Sequence, residues 1–207
     1  IRNLESYGKP LIFVDSNALY LGHSCVTTDL EDSVITALEY FLDHGHKEIG
    51  LLVGQEETAD ATPLQMDPRQ RTFQQFLTEK GLYEERFVSV GQFSTESGYQ
   101  MMEQLIQALG DDLPTAFFMA SDALAVGALR SLQEHQIAVP DRVSLISFND
   151  TSIAKYVFPA LSTVTVYTEE MGKQAIQMLR QTFQGNQPSV PYMVKLATKL
   201  TIRDSSR

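Results

Sequence analysis

Short apolar runs alternate with segments whose apolar residues recur at helical spacing, and this alternation constrains the chain more than any other feature. The runs are Leu11–Asp15 (LIFVD), a brief one at Cys25–Thr27, Ile49–Val53 (IGLLV), Phe87–Val90 (FVSV), Ala116–Ala120 (AFFMA) and Val143–Phe148. Between them, Leu30, Val34, Leu38, Phe41 and Leu42 share one helical face. So do Phe73, Phe76 and Leu77, then Met101, Met102, Leu105, Ile106 and Leu109, then Leu124, Ala128, Leu129 and Leu132. Gly45 and Gly81 stand where the first two helices should stop. A strand that is apolar at every position must be covered on both faces. Strand–helix alternation of this kind builds a parallel sheet flanked by helices, an α/β fold.

The pattern weakens after Phe148. Val164–Val166 reads as a strand and Met171–Phe183 as a helix, GNQPSVP breaks the chain, and MVKLATKLTIR alternates like one half-exposed strand. Such a tail predicts a chain that passes between two lobes more than once. We expect one lobe from residues 1–26 and 165–188, and the other from 27–164 and 189–207. The 207 residues suffice for two modest cores. No apolar run approaches the ~20 residues of a membrane helix, and the first residues carry no basic and apolar leader pattern. Cys25 is the single cysteine, which excludes an internal disulfide and points to a reducing, cytoplasmic setting. A net charge of −10 repels phosphate backbones, so the chain is not expected to hold nucleic acid by itself.

In open parallel sheets, ligands bind outside the carboxyl ends of the strands. Those ends read Asp15-Ser16, Gly54-Gln55, Gly91-Gln92-Phe93, Ser121-Asp122 and Asn149-Asp150. Ser121, Asp122 and Asp150 equally fit helix N-caps, which strand-to-helix turns favour. As a set, carboxylates, amides and hydroxyls beside an aromatic ring suit a neutral polyol. Catalytic patterns are absent. His44 and His46 flank Gly45 at a helix end, where cations are favoured. There is no HExxH, GxSxG, GxxxxGK[ST] or cysteine pair. The chain reads as a binding module rather than an enzyme, with no metal and no cofactor expected.

The stretches GKPLIFVDSN (8–17), HGHKEIGLLVG (44–54), PTAFFMASDALAVGALRSLQE (114–134), VPDRVSLISFNDTSIAKYVFPALSTV (139–164) and TEEMGKQAIQML (168–179) together resemble the LacI/GalR family of bacterial transcription regulators. The resemblance covers essentially the whole chain in family order. It implies a two-lobed core similar to periplasmic sugar-binding proteins, with a small effector, usually a sugar or nucleobase, held between the lobes. It also implies a homodimer acting on operator DNA through a helix-turn-helix headpiece. That headpiece, the hinge helix and the first strands of the N-terminal lobe have no counterpart here, so the expectation is an incomplete N-terminal lobe and a longer natural protein.

Carried over residue by residue, the resemblance assigns effector contacts to Asp15, Arg69 in DPRQRTF, Phe93 as a stacking aromatic, Ser121, Asp122, Asn149 and Val166. Thr72 stands just before the aromatic Phe73, where the family usually has glycine, which leaves Arg71 as the alternative register for Arg69. Asn149 replaces a carboxylate common at its position, which adds a donor and removes a charge. Tyr156 and Pro159 fall where the family forms its dimer interface. The resulting expectation is the effector-binding core of a sugar-responsive repressor, with a lean to galactose-type sugars. A solute-binding protein of a sugar transporter is the alternative.

Overall fold

The computed structural model describes residues 6–55, 66–186 and 188–207. In chain order its elements are β1 (Ile12–Val14), β2 (Ser24–Thr28), α1 (Leu30–Asp43), β3 (Ile49–Gly54), α2 (Pro68–Glu79), β4 (Val88–Gly91), α3 (Thr95–Leu109), β5 (Ala116–Met119), α4 (Asp122–Glu134), β6 (Ser144–Asn149), β7 (Ser162–Thr165), α5 (Thr168–Phe183), β8 (Met193–Leu196) and β9 (Lys199–Thr201). They form two compact units, Ile1–Asp29 with Val166–Thr198, and Leu30–Thr165 with Lys199–Arg207.

The first unit carries a three-stranded sheet in the order β1-β2-β8, parallel throughout. One face is covered by α5, which turns Met171, Ala175 and Met178 onto Val26. These residues lie four and then three apart, the spacing of a single helical stripe. Ile12, Val166, Tyr192, Val194 and Leu196 pack around that cluster.

The second unit is built on a six-stranded sheet, β4-β3-β5-β6-β7-β9, in which only β9 runs antiparallel. β3 and β5 are buried at every residue, as strands covered on both faces must be. α3 and α4 cross closely because each contributes a glycine. A Cβ at Gly98 would run into the Leu124 carbonyl, and one at Gly127 into the Thr95 carbonyl. Gly45 and Gly81 follow their helices with φ of 87° and 71°, a left-handed conformation that glycine adopts without steric cost.

Two expectations about the tail are corrected. MVKLATKLTIR is not one strand. Its first half, β8, pairs with β2 in the first unit, and its second half, β9, pairs with β7 in the second. Residues 189–198 therefore belong with the first unit, and the chain crosses at Thr198 rather than at residue 188. Asp29 N–H donates to the Leu196 carbonyl at 2.9 Å, which ties the end of β8 to β2 and carries the earlier crossing from residue 26 to Asp29. The last residues are also part of the core. Ser205 Oγ accepts from Ser162 N–H at 2.8 Å and donates to the Leu145 carbonyl at 2.7 Å, fastening the tail to β6 and β7.

Candidate functional site

In the second unit the carboxyl ends of β4, β5 and β6 meet around one side chain, Arg69. The local sequence explains how it is held. Asp67 is the N-cap of α2, with Pro68 just inside the helix, and its Oδ1 accepts from Arg69 N–H at 2.8 Å. The same carboxylate takes Arg69 Nε at 2.9 Å and Nη2 at 2.8 Å, while Nη1 donates to the Ala120 carbonyl at the end of β5, 2.7 Å away. The guanidinium carbon lies 4.8 Å from the Phe93 ring centroid and 5.3 Å from that of Phe148. Arginine has five N–H donors, so each terminal nitrogen keeps one hydrogen with no partner among the described residues. The side chains of Arg69 and Asp67 are 14% and 13% exposed, and burial of this degree screens the pair far less than a surface ion pair.

Phe93 is half-buried beyond the end of β4. Gly54, the last residue of β3, makes room for it, since any Cβ there would collide with the Phe93 ring and backbone. Asn149 closes β6 with φ of 109°, and Asp150 follows with φ of 57°. Two successive non-glycine residues on the positive side of φ are costly and are held by their surroundings. Asp150 accepts from Arg203 Nη2 at 2.7 Å and from Thr165 Oγ1 at 2.9 Å, and its N–H donates to Thr163 Oγ1 at 3.3 Å. The Asn149 amide is half-buried and makes no hydrogen bond among the described residues.

Asp122 has a different position from the one expected of a ligand contact. Its side chain is buried at the start of α4, and each oxygen already accepts two hydrogen bonds. Ser147 Oγ and Thr163 Oγ1 donate to Oδ1 at 2.5 and 3.0 Å, and Thr151 N–H and Oγ1 donate to Oδ2 at 2.6 and 2.8 Å. No lone pair is left for a bound hydroxyl. Asp122 holds β6, β7 and the turn after Asn149 in place, and we assign it as a positioning residue. Ser121 is the N-cap of α4, its Oγ accepting from Leu124 N–H at 3.2 Å.

Residues 38–206 match the family model for a periplasmic binding protein-like domain. The chain belongs to that family. This binding-protein-like domain is 50% identical over 207 residues to the HTH-type transcriptional regulator GalR of Streptococcus thermophilus, a match covering 100% of this chain and 62% of that protein. It is 36% identical over 206 residues to the HTH-type transcriptional regulator GanR of Bacillus subtilis (strain 168), covering 99% of this chain and 61% of the relative. A solved sugar-binding transcriptional regulator of the LacI family from Escherichia coli, complexed with phosphate, superposes with a TM-score of 0.78 at 27% identity, covering 99% of this chain and 70% of that one. The domain thus spans about three fifths of the length of the curated relatives. The LacI/GalR resemblance and the α/β periplasmic-binding-protein-like fold are both borne out.

The domain distributes the remaining expected residues differently. Asp15, with φ of 60°, follows β1 in the first unit and is exposed, its N–H donating to the Val26 carbonyl at 2.9 Å. Val166 also belongs to the first unit, where it packs on the α5 cluster. Arg69, Phe93, Ser121 and Asn149 are the expected contacts that share the strand-end face of the second unit. Residues 56–65, most of the long segment before α2, lie outside the described residues. Of the pair expected at a partner surface, Tyr156 is 83% exposed but Pro159 is buried. Pro159 turns inward where the chain enters β7, with Leu161 N–H donating to the Ala154 carbonyl at 2.8 Å, and the exposed neighbours are Phe158 and Ile153.

Asp67 and Arg203 are site residues that the sequence alone did not single out; Gly54 and Phe148 fall at the ends of the expected strands, but their contacts with Phe93 and Arg69 were not foreseen. Asp67 had a readable signal, an N-capping aspartate directly before proline. Arg203 had none, since its partner Asp150 lies 53 residues away. Among the described residues no group of His, Cys, Asp or Glu could hold a metal ion, and no helix is long and apolar enough to cross a membrane.

Proposed function

We propose that this domain is the effector-binding and dimerisation core of a sugar-responsive, DNA-binding transcription regulator, a cytoplasmic repressor of carbohydrate-use genes. The observation that carries the reading is Arg69, already oriented by Asp67, Ala120, Phe93 and Phe148 and still offering two N–H groups at the strand ends, where the Asn149 amide also has no partner among the described residues. A sugar presents hydroxyls that both donate and accept, together with apolar C–H faces. A fixed guanidinium, an amide and an aromatic ring complement it, and their orientation costs little entropy on binding. Asp15 and Val166, from the first unit, complete the proposed contact set on the strength of the LacI/GalR resemblance. Asp122 acts behind them as the positioning residue. The effector changes operator affinity only through a difference in its own affinity for two states of the regulator. The net charge of −10 argues against DNA contact by this domain itself, and the LacI/GalR resemblance assigns that contact to a helix-turn-helix headpiece.

A thermal-shift screen of mono- and oligosaccharides tests the reading, galactose-type sugars first. A ligand present at 100 times its dissociation constant stabilises the native state by about 2.7 kcal/mol, so a sugar effector raises the melting temperature in a saturable way. A flat response across the panel, with calorimetry also silent, would sink it.

The exposed set Ile153, Tyr156 and Phe158 supports dimerisation through this face, because aromatic residues are enriched in interface cores. Tyr156→Glu places a charge there without entering the core, and is expected to yield a folded monomer by analytical ultracentrifugation where the parent sediments as a dimer. A dimeric variant would move the interface elsewhere.

A further inference from the structure

We infer that the strand-end site selects uncharged sugars and excludes their phosphorylated forms. The inference rests on the sugar reading above and extends it to ligand charge. Phosphate binding favours an unpaired cation or helix N–H groups; among the described residues at these strand ends the guanidinium groups are paired with carboxylates, and each helix N-terminus carries its own cap.

The two guanidinium groups at the strand ends are already neutralised. Arg69 is held at two points by Asp67, and Arg203 is paired with Asp150 at 2.7 Å, with its Nη1 on the Leu161 carbonyl at 2.8 Å. Asp122 then remains as a buried carboxylate whose four donors are hydroxyls and one backbone N–H, none of them charged. Among the described residues, three carboxylates therefore stand against two guanidinium groups, and Glu96 in the first turn of α3 adds a fourth carboxylate. Arg71 does not redress the balance. It lines a separate groove between α1 and α2, together with Glu31 and Glu79.

Each helix N-terminus at the strand ends also carries its own side-chain cap, which takes one of the N–H groups a phosphate would use. Asp67 Oδ1 accepts from Arg69 N–H at 2.8 Å, Ser94 Oγ from Ser97 N–H at 3.1 Å, and Ser121 Oγ from Leu124 N–H at 3.2 Å. A phosphomonoester of charge about −1.5 to −2 would shed water without gaining an unpaired cation and would approach fixed negative charge. A hydroxyl meets no such barrier, and the two remaining Arg69 hydrogens suit it.

The test compares matched pairs by thermal shift and titration calorimetry: galactose with galactose 6-phosphate, glucose with glucose 6-phosphate, and inorganic phosphate alone. The free sugar that binds is expected to do so at least roughly a hundredfold more tightly than its phosphorylated partner, since like-charge juxtaposition is strongly unfavourable. Inorganic phosphate is expected to leave the melting temperature unchanged. Asp67→Asn keeps a capping side chain of equal quality and releases the Arg69 charge, so the preference should narrow by about tenfold. If that variant does not fold, Asp67→Ser serves the same purpose. Equal or tighter binding of a phosphorylated sugar, binding of inorganic phosphate by the parent, or an unchanged preference in the Asp67 variant overturns the inference while leaving the sugar reading intact. Silence from both members of every pair, with no oligosaccharide binding, removes the sugar reading and the inference with it.

Discussion

Asp122→Ala is expected to lower the unfolding free energy by about 3–5 kcal/mol, a loss large enough to threaten folding at physiological temperature. The carboxylate is buried, and its four donors come from β6, β7 and the turn after Asn149. Hydrogen bonds to a charged acceptor contribute about 1.5–3 kcal/mol each. The total is less than their sum, because the three hydroxyls can rotate, and Ser147 Oγ already lies 3.4 Å from the Ser162 carbonyl. The Thr151 N–H cannot rotate. A carboxylate in the first turn of α4 is also favoured by the helix dipole, which alanine forfeits. Asp122→Asn preserves shape and one acceptor oxygen but turns an NH2 group toward two donors, so it should fall between parent and alanine. Urea denaturation of the three proteins is the measurement. A loss below about 1 kcal/mol for alanine, the ordinary cost of an exposed cap, would show that the donors find other acceptors and that Asp122 does not hold the strand ends together.

Asp122 also marks how far the sequence could be read. SDALAVGALRSLQE announces a strand end, a capping serine and a helix, because each of those signals is local. Whether the aspartate faces a ligand or the core depends on Ser147, Thr151 and Thr163, which lie 25, 29 and 41 residues away. The order of elements was legible because a doubly covered strand must be apolar throughout. Arg69 was legible only through resemblance, while the geometry that makes it useful depends on Ala120, Phe93 and Phe148. The division of the tail was hidden for another reason. β8 and β9 alternate alike and are separated by Ala197 and Thr198, with no glycine or proline to mark the crossing, and their pairing partners lie in different units. Tyr156 and Pro159 are paired by the family resemblance, which locates a segment at the dimer interface but not each side chain in it, and the proline's neighbours bury it.

Arg69→Ala is expected to reduce sugar affinity at least roughly a hundredfold while the domain stays folded. The binding loss follows from removing two oriented donors from a site where they would otherwise meet sugar oxygens, since hydrogen bonds to a charged group are worth about 1.5–3 kcal/mol each and every 1.4 kcal/mol is tenfold in affinity. The folding cost is smaller. Asp67 loses its ion-pair partner but still caps α2 through the backbone N–H of residue 69, which alanine retains. Arg69→Lys separates charge from geometry. Lysine restores the cation, but its single ammonium cannot serve both Asp67 oxygens and the Ala120 carbonyl while stacking on Phe93 and Phe148. It should rescue stability more than affinity. Titration calorimetry beside a melting curve distinguishes the two effects. Alanine that binds sugar as the parent does would remove the strand ends of the second unit as the site. Lysine that restores full affinity would mean that the charge alone matters, and that the fork held by Asp67 and Ala120 is a consequence of packing rather than the means of recognition.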